Sequence, residues 1–196
     1  MRITSPIAIL LLSPIALSAC VSSIKPEAKQ LDFYDFGLQS ATQRVTFNLP
    51  VAELNASNAI QHSNIRYRLN YKNPAQIFSY AESRWSTLPV DLVRQKIDKT
   101  NASKSSCSLK LQIVAFDQVF DTADSSHGIV QLQASIIENR SRQRISTTLI
   151  SAQSTAGSAD AKGGVNALDT ASTAALQQAA DWASATSAAA DCQPSS

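Results

Sequence analysis

Three cysteines and two histidines are the residues of this 196-residue chain best suited to nucleophilic, redox or metal chemistry. His62 and His127 are far apart and sit in the polar stretches QHSN and SSHG, where an imidazole is more often solvated than poised as a base or ligand. Serines are abundant, but no G-x-S-x-G elbow presents one as a nucleophile. Neither Cys107 nor Cys192 belongs to a C-x-x-C pair, so a redox dithiol and a zinc site both lack support. The run GSADAKGG from Gly157 lacks the spacing and the GK[ST] ending of a phosphate loop. No pair of carboxylates stands in apolar surroundings, as general acid and base work would need. The expectation is a protein that is not an enzyme, with no catalytic residue, no metal and no cofactor.

The remaining cysteine carries a different chemistry. Residues 1–19 hold one charge, Arg2, then an apolar core from Ile7 to Leu17 interrupted by Pro14. That core is shorter than the roughly 20 residues needed to span a bilayer, and small residues follow it, so it reads as a cleaved leader. The sequence Leu17-Ser18-Ala19-Cys20 resembles the bacterial lipobox, whose cysteine is acylated and becomes the new N-terminus. The alternative is a plain secreted protein with an incidental Cys20. Acylation is a physical anchor, since each buried CH₂ contributes about 0.8 kcal/mol and two chains or more hold a protein on a membrane. Val21 follows in place of the aspartate that commonly marks inner-membrane retention in enteric bacteria, which favours the outer membrane, periplasmic face. Residues 20–30 read as a lipidated flexible tether, polar and without apolar period.

The elements that position everything else occupy residues 31–192, one domain, with 193–196 as a tail. LDFYDF from Leu31 is strand-prone and stops at Gly37. RVTFNLPV alternates Val45, Phe47 and Leu49 with polar residues, and IRYRLNY alternates as cleanly from Ile65 to Tyr71. After Ile77-Phe78 the chain carries Tyr80, Arg84 and Trp85, and Pro89 fits the first turn of a helix with Val90, Val93 and Ile97 at helical spacing. Three long alternating runs follow: SLKLQIVAF, IVQLQASII and RISTTLIS. In the first of them the phase changes near Phe116-Asp117, which predicts a bulge or bend before Val119-Phe120. Polar outer positions predict a wet face, as in an antiparallel meander. An alanine-rich helix over about Val165–Ala189 places Leu168, Ala175, Leu176, Ala179, Trp182, Ala183 and Thr186 on one stripe. The order gives an α+β fold: a mostly antiparallel sheet with two main helices packed on one face.

Cys107 and Cys192 are an even pair, and in an oxidising periplasm they are expected to bridge, with two free thiols as the alternative. Arg140, Arg142 and Arg144 crowd a turn, ordinarily a solvated tip and less often a headgroup or partner contact. Arg66, Arg68 and Lys72 are read the same way. The formal charge of +2 offers no strong field for nucleic acid or an anionic membrane.

The stretches IRYRLNY, SYAESRWSTLPVDLVRQKI and LKLQIVAFDQVFDTADSSHGIVQLQASI resemble the ABC-type transport auxiliary lipoprotein family, the paraquat-inducible C type. The residues that carry the resemblance are Tyr67-Arg68, Tyr80-Ala81, Arg84-Trp85, Pro89, and Phe116, Gln118 and Phe120. It runs from about Tyr34 to Trp182. It implies an outer-membrane-anchored accessory of an MCE-type ABC system, which moves phospholipids or other hydrophobic molecules across the periplasm. The implied partners are the periplasmic MCE component, the membrane through the lipid anchor, and other copies in a homo-oligomeric ring. Tyr80, Arg84, Trp85 and Pro89 are the partner-binding candidates, because amphipathic aromatics and arginine serve as interface hot spots. The competing reading makes Trp85 a core plug under the helix and pairs Arg84 with a carboxylate. A function of another class, a structural lipoprotein that assists assembly of an outer-membrane β-barrel, also fits an anchored inert domain.

Overall fold

The computed structural model describes residues 29–40, 43–98, 105–190 and 192. Cys20, the leader, most of the tether and residues 193–196 lie outside them. In chain order the elements are β1 (Asp32–Tyr34), α1 (Gly37–Ser40), β2 (Val51–Ala56), a 3₁₀ turn (Asn58–Ile60), β3 (Asn64–Leu69), β4 (Phe78–Trp85), α2 (Pro89–Gln95), β5 (Cys107–Phe120), β6 (Ser126–Glu138), β7 (Arg144–Thr155) and α3 (Ala161–Ala189).

The three alternating runs form the antiparallel meander β5-β6-β7, joined by short turns. Leu109, Leu111 and Ile113 of β5 and Val130, Leu132, Ala134 and Ile136 of β6 are buried, while Lys110 and Gln112 face solvent. The period of two therefore sends one face to the core and leaves the other wet. Helix α3 covers the apolar face with Leu168, Ala171, Ala175, Leu176, Ala179 and Ala183, all fully buried. Small alanines at these positions let the helix lie close to the strands. Gly128 of β6 takes this furthest, since a Cβ there would stand 2.6 Å from the Leu168 nitrogen. Asp160 starts α3, its carboxylate accepting from the Gly163 amide at 2.7 Å.

The other half of the sheet departs from the expected meander. Strand order is β1-β4-β3-β5-β6-β7, with β2 also paired to β5. β2 runs parallel to the first half of β5 and β3 parallel to its end, while β1 runs parallel to β4. The sheet is thus mixed, not mostly antiparallel: the segments before β5 reach it by crossovers and not by hairpins. The two main helices share one face, as Lys96 just past α2 reaches Asp169 and Thr173 of α3.

Three local readings also change. Val45, Phe47 and Leu49 are buried in alternation, but only Val45 makes a bridge, to Ile97, so this run is extended chain and not a ladder strand. The strand lies just beyond, at Val51–Ala56, where only Leu54 and Ala56 are buried and the alternation is too brief to mark it. His127 lies within β6 and pairs with Asp121 at 2.8 Å, not in a connector. The bulge in β5 falls between Ile113 and Ala115, slightly before the phase change that revealed it.

That bulge organises the fold. Before it the odd-numbered residues of β5 face α3; after it Phe116 and Gln118 do, and Asp117 turns to the opposite face. At the same level β2 leaves β5, Ser57 donating to the Ile113 carbonyl, and β3 joins it through Tyr67 opposite Gln118. At the start of β5 Cys107 forms a disulfide with Cys192, tying that strand to the chain just after α3.

Candidate docking site

Tyr80 and Trp85 are five residues apart, so a regular strand would send them to opposite faces. A register shift between β3 and β4 changes that: Arg66 pairs with Ser79 but Asn64 pairs with Arg84. Both aromatic side chains consequently point toward α3 over β5. Trp85 packs edge-on against Phe116 at 5.6 Å and against Phe36 at 6.0 Å. The Tyr80 hydroxyl donates to the Gln118 Oε1 at 2.8 Å, and the Gln118 amide donates to the Ser126 hydroxyl at 2.7 Å. Burial, with Tyr67 and Asp160 nearby, pushes the Tyr80 phenol above its ordinary pKa, so it remains a donor. Gly164 closes this network from above, because any side chain there would collide with the Gln118 carboxamide. Tyr67 completes the cluster, its ring 4.8 Å from Tyr80 and 5.7 Å from Phe120.

The four candidate residues therefore separate. Trp85 is 1 % exposed and Pro89, the first residue of α2, is buried, so neither presents a side chain to a partner in this conformation. Tyr80 is half-buried and committed to Gln118. Arg84 is half-buried and, among the described residues, pairs with no carboxylate; its guanidinium donates to the carbonyls of Tyr80 at 2.5 Å and Ser83 at 2.8 Å. These carbonyls flank the irregularity in β4, so Arg84 satisfies acceptors that the broken ladder leaves open.

Alternation with Trp85 puts Arg84 on the sheet face away from α3. Its register partner on β1 is Phe33, which is 65 % exposed. Leu31, two residues before, is also exposed. An arginine beside an exposed phenylalanine on a sheet edge is the surface feature that sequence reasoning missed. LDFYDF shows a strand, but which of its aromatics faces out depends on register. Tyr34 packs on the core and Phe33 does not.

Arg66 and Arg68 need a further correction. They are not a solvated pair. Arg66 is 7 % exposed and its Nε lies 2.7 Å from the Asp117 Oδ1, while Arg68 Nε bonds the Asp117 Oδ2 at 2.8 Å. Arg66 also donates to the Ala59 carbonyl and Arg68 to that of Pro74. The carboxylate turned outward by the β5 bulge thus clamps β3 to β5 and draws the 3₁₀ turn over the pair.

Among the described residues no group of three His, Cys, Asp or Glu side chains could hold a metal, and no helix is long and apolar enough to cross a membrane. No protein-family model matches the chain, and neither does any curated protein. Solved structures do match. A Xanthomonas campestris protein whose crystal structure carries the family label DUF330 superposes with a TM-score of 0.62 at 16% identity, over 76% of this chain and 90% of its own. A second crystal structure, of an uncharacterized protein, superposes with a TM-score of 0.55 at 11% identity, over 80% of this chain and 99% of its own. At such identities the likeness is one of fold.

Proposed function

We propose that this chain is an outer-membrane-anchored lipoprotein that serves an MCE-type ABC system, docking its periplasmic MCE component while phospholipids or other hydrophobic molecules cross the periplasm. The observation that carries the reading is convergence. Three separated stretches bear the family resemblance, and their marked residues meet in one cluster: Tyr67 with Tyr80 and Phe120, Tyr80 with Gln118, Trp85 with Phe116. Motif residues that pack on one another are what a shared fold-defining core requires. The lipobox-like LSAC stretch supports the anchor, and the Cys107–Cys192 bridge accords with an oxidising compartment.

In this reading Trp85 and Pro89 hold the β4–α2 corner rigid, and contact with the partner falls to Arg84 and Phe33 on the open face. An aromatic and an arginine side by side are the residue types that dominate interface energetics. The test is pull-down of the MCE component by the wild-type chain and by Phe33→Ser, a surface change that leaves the core untouched. Recovery by wild type and loss by Phe33→Ser is the expected result. Failure to recover an MCE protein, together with normal detergent resistance in cells lacking the chain, overturns the transport role. Cross-linking to a β-barrel would instead favour a part in barrel assembly.

A further inference from the structure

The arginines at the β6–β7 turn are a charged cluster that the docking site leaves unused. Two of them, Arg142 and Arg144, border a polar groove of about 400 Å³ on the sheet face away from α3, lined also by Lys110, Gln112, Gln133 and Ser135. Strand register assembles it. Lys110 stands opposite Ser135, Gln112 opposite Gln133, and Arg144 opposite Ile137.

The charge in this groove is not balanced. Its carboxylate, Glu53, is held by Lys110 at 2.8 Å. Glu138, at the turn, accepts from the backbone amides of Ser141 at 2.7 Å and Arg140 at 3.2 Å, so it is committed to the turn itself. Among the described residues the guanidinium groups of Arg142 and Arg144 have no ion pair or side-chain hydrogen bond. Arg142 also sits at φ 61°, a left-handed conformation that favours glycine or asparagine. An arginine at such a position costs stability, and outliers of this kind concentrate at functional sites.

We propose that this groove binds a phosphate oxyanion, gripped by the forked donors of Arg142 and Arg144, with Gln112 and Gln133 adding neutral amide donors. Guanidinium forks match the oxygens of a phosphate, and both remain once Lys110 has taken up Glu53. Nucleic acid is a poor fit, because a formal charge of +2 offers no extended basic track. The ligand is a phosphate group, free or in the headgroup of a phospholipid. The inference stands on the groove alone and holds whether or not Phe33 and Arg84 meet a partner.

The experiment is an amide NMR titration of the full chain carrying Cys20→Ser, so that no acyl group is attached. The probes are inorganic phosphate and, separately, dihexanoylphosphatidylglycerol kept below micelle formation. The expected result is saturable shifts at Gln112, Gln133 and Ser135 with at least one probe. The double variant Arg142→Gly, Arg144→Gln weakens that binding about tenfold or more, as expected for lost charged hydrogen bonds. Glycine suits the backbone at 142, so the variant folds, and its own spectrum checks this. Arg140→Gln, on the same turn but not lining the groove, leaves binding unchanged. Response to inorganic phosphate points to a free phosphate ligand, and response to the lipid alone points to a headgroup. Silence toward both probes overturns the proposal, as does equal weakening by Arg140→Gln, which would reduce the effect to the general charge of the tip.

Discussion

Substitution of Gly128 by alanine tests how closely α3 lies on the sheet. An alanine in a strand ordinarily stabilises relative to glycine, by about 0.5–1 kcal/mol, because the unfolded chain has less freedom to lose. Here the added Cβ would stand 2.6 Å from the Leu168 nitrogen, 2.7 Å from the Ala167 carbonyl carbon and 3.0 Å from the Ala167 Cβ. Ordinary contact is about 3.5 Å, so the helix and strand must separate by about 0.9 Å at this point. Two of the three atoms are backbone, so no rotamer change can relieve the clash. The separation would propagate along a helix whose Leu168, Ala171, Ala175 and Leu176 are fully buried. Overpacking of this kind costs about 1–3 kcal/mol, and a backbone clash belongs at the upper end, so a net loss of about 2 kcal/mol is expected. Urea unfolding followed by far-ultraviolet circular dichroism measures it. Gly157→Ala is the control, because a Cβ there meets nothing within 4 Å and should be neutral or slightly stabilising. If Gly128→Ala matches that control, or raises the midpoint, the close approach of α3 to β6 is refuted, and with it the account of why the helix is rich in alanine.

Other outcomes follow from the same contacts. Asp117→Asn leaves the buried Arg66 and the half-buried Arg68 without their counter-charge and should cost about 3–5 kcal/mol, whereas Arg68→Gln, at a site 26% exposed, should cost much less; thermal unfolding of the two variants compares them. Reduction of the Cys107–Cys192 bridge, with a sequence separation of 85, releases up to about 4.6 kcal/mol of loop-closure stabilisation on the chain-entropy model. Hydrogen exchange should then quicken first in the last turn of α3, where the Cys192 amide bonds the Ser187 carbonyl. The Gly163 amide and then the Ser158 hydroxyl hold the Asp160 carboxyl below its ordinary value. Its folded pKa is therefore the lower one, so its contribution is present above about pH 4 and is lost as pH falls through that depressed value. Asp160→Ala should cost about 1 kcal/mol at neutral pH, and the gap from wild type should close in acid, as melting curves across pH would show.

Much of this molecule is legible from local pattern. The strands β5, β6 and β7 declare themselves because one face is wet, so that hydrophobic alternation survives in the sequence. The α3 stripe does so because a long helix repeats its period many times, and Pro89 starts α2 because proline loses nothing at a first turn. The bridge between Cys107 and Cys192 agrees with the parity of the two cysteines.

What pattern does not carry is anything set by a partner strand. β2 buries only Leu54 and Ala56, too few to mark a period, and it is a strand because β5 offers it a parallel edge. The direction of β1, β2 and β3 depends on crossovers that no local period records, which is why the sheet is mixed. Tyr80 and Trp85 share a face only because a register shift in β4 reverses alternation between them, and Arg66 is buried only because the β5 bulge turns Asp117 toward it. A one-residue slip in pairing moves every later side chain to the other face of a sheet. Sequence therefore determined which segments are apolar, helical or strand-like. Tertiary pairing decided which of its arginines and aromatics are core and which remain on the surface.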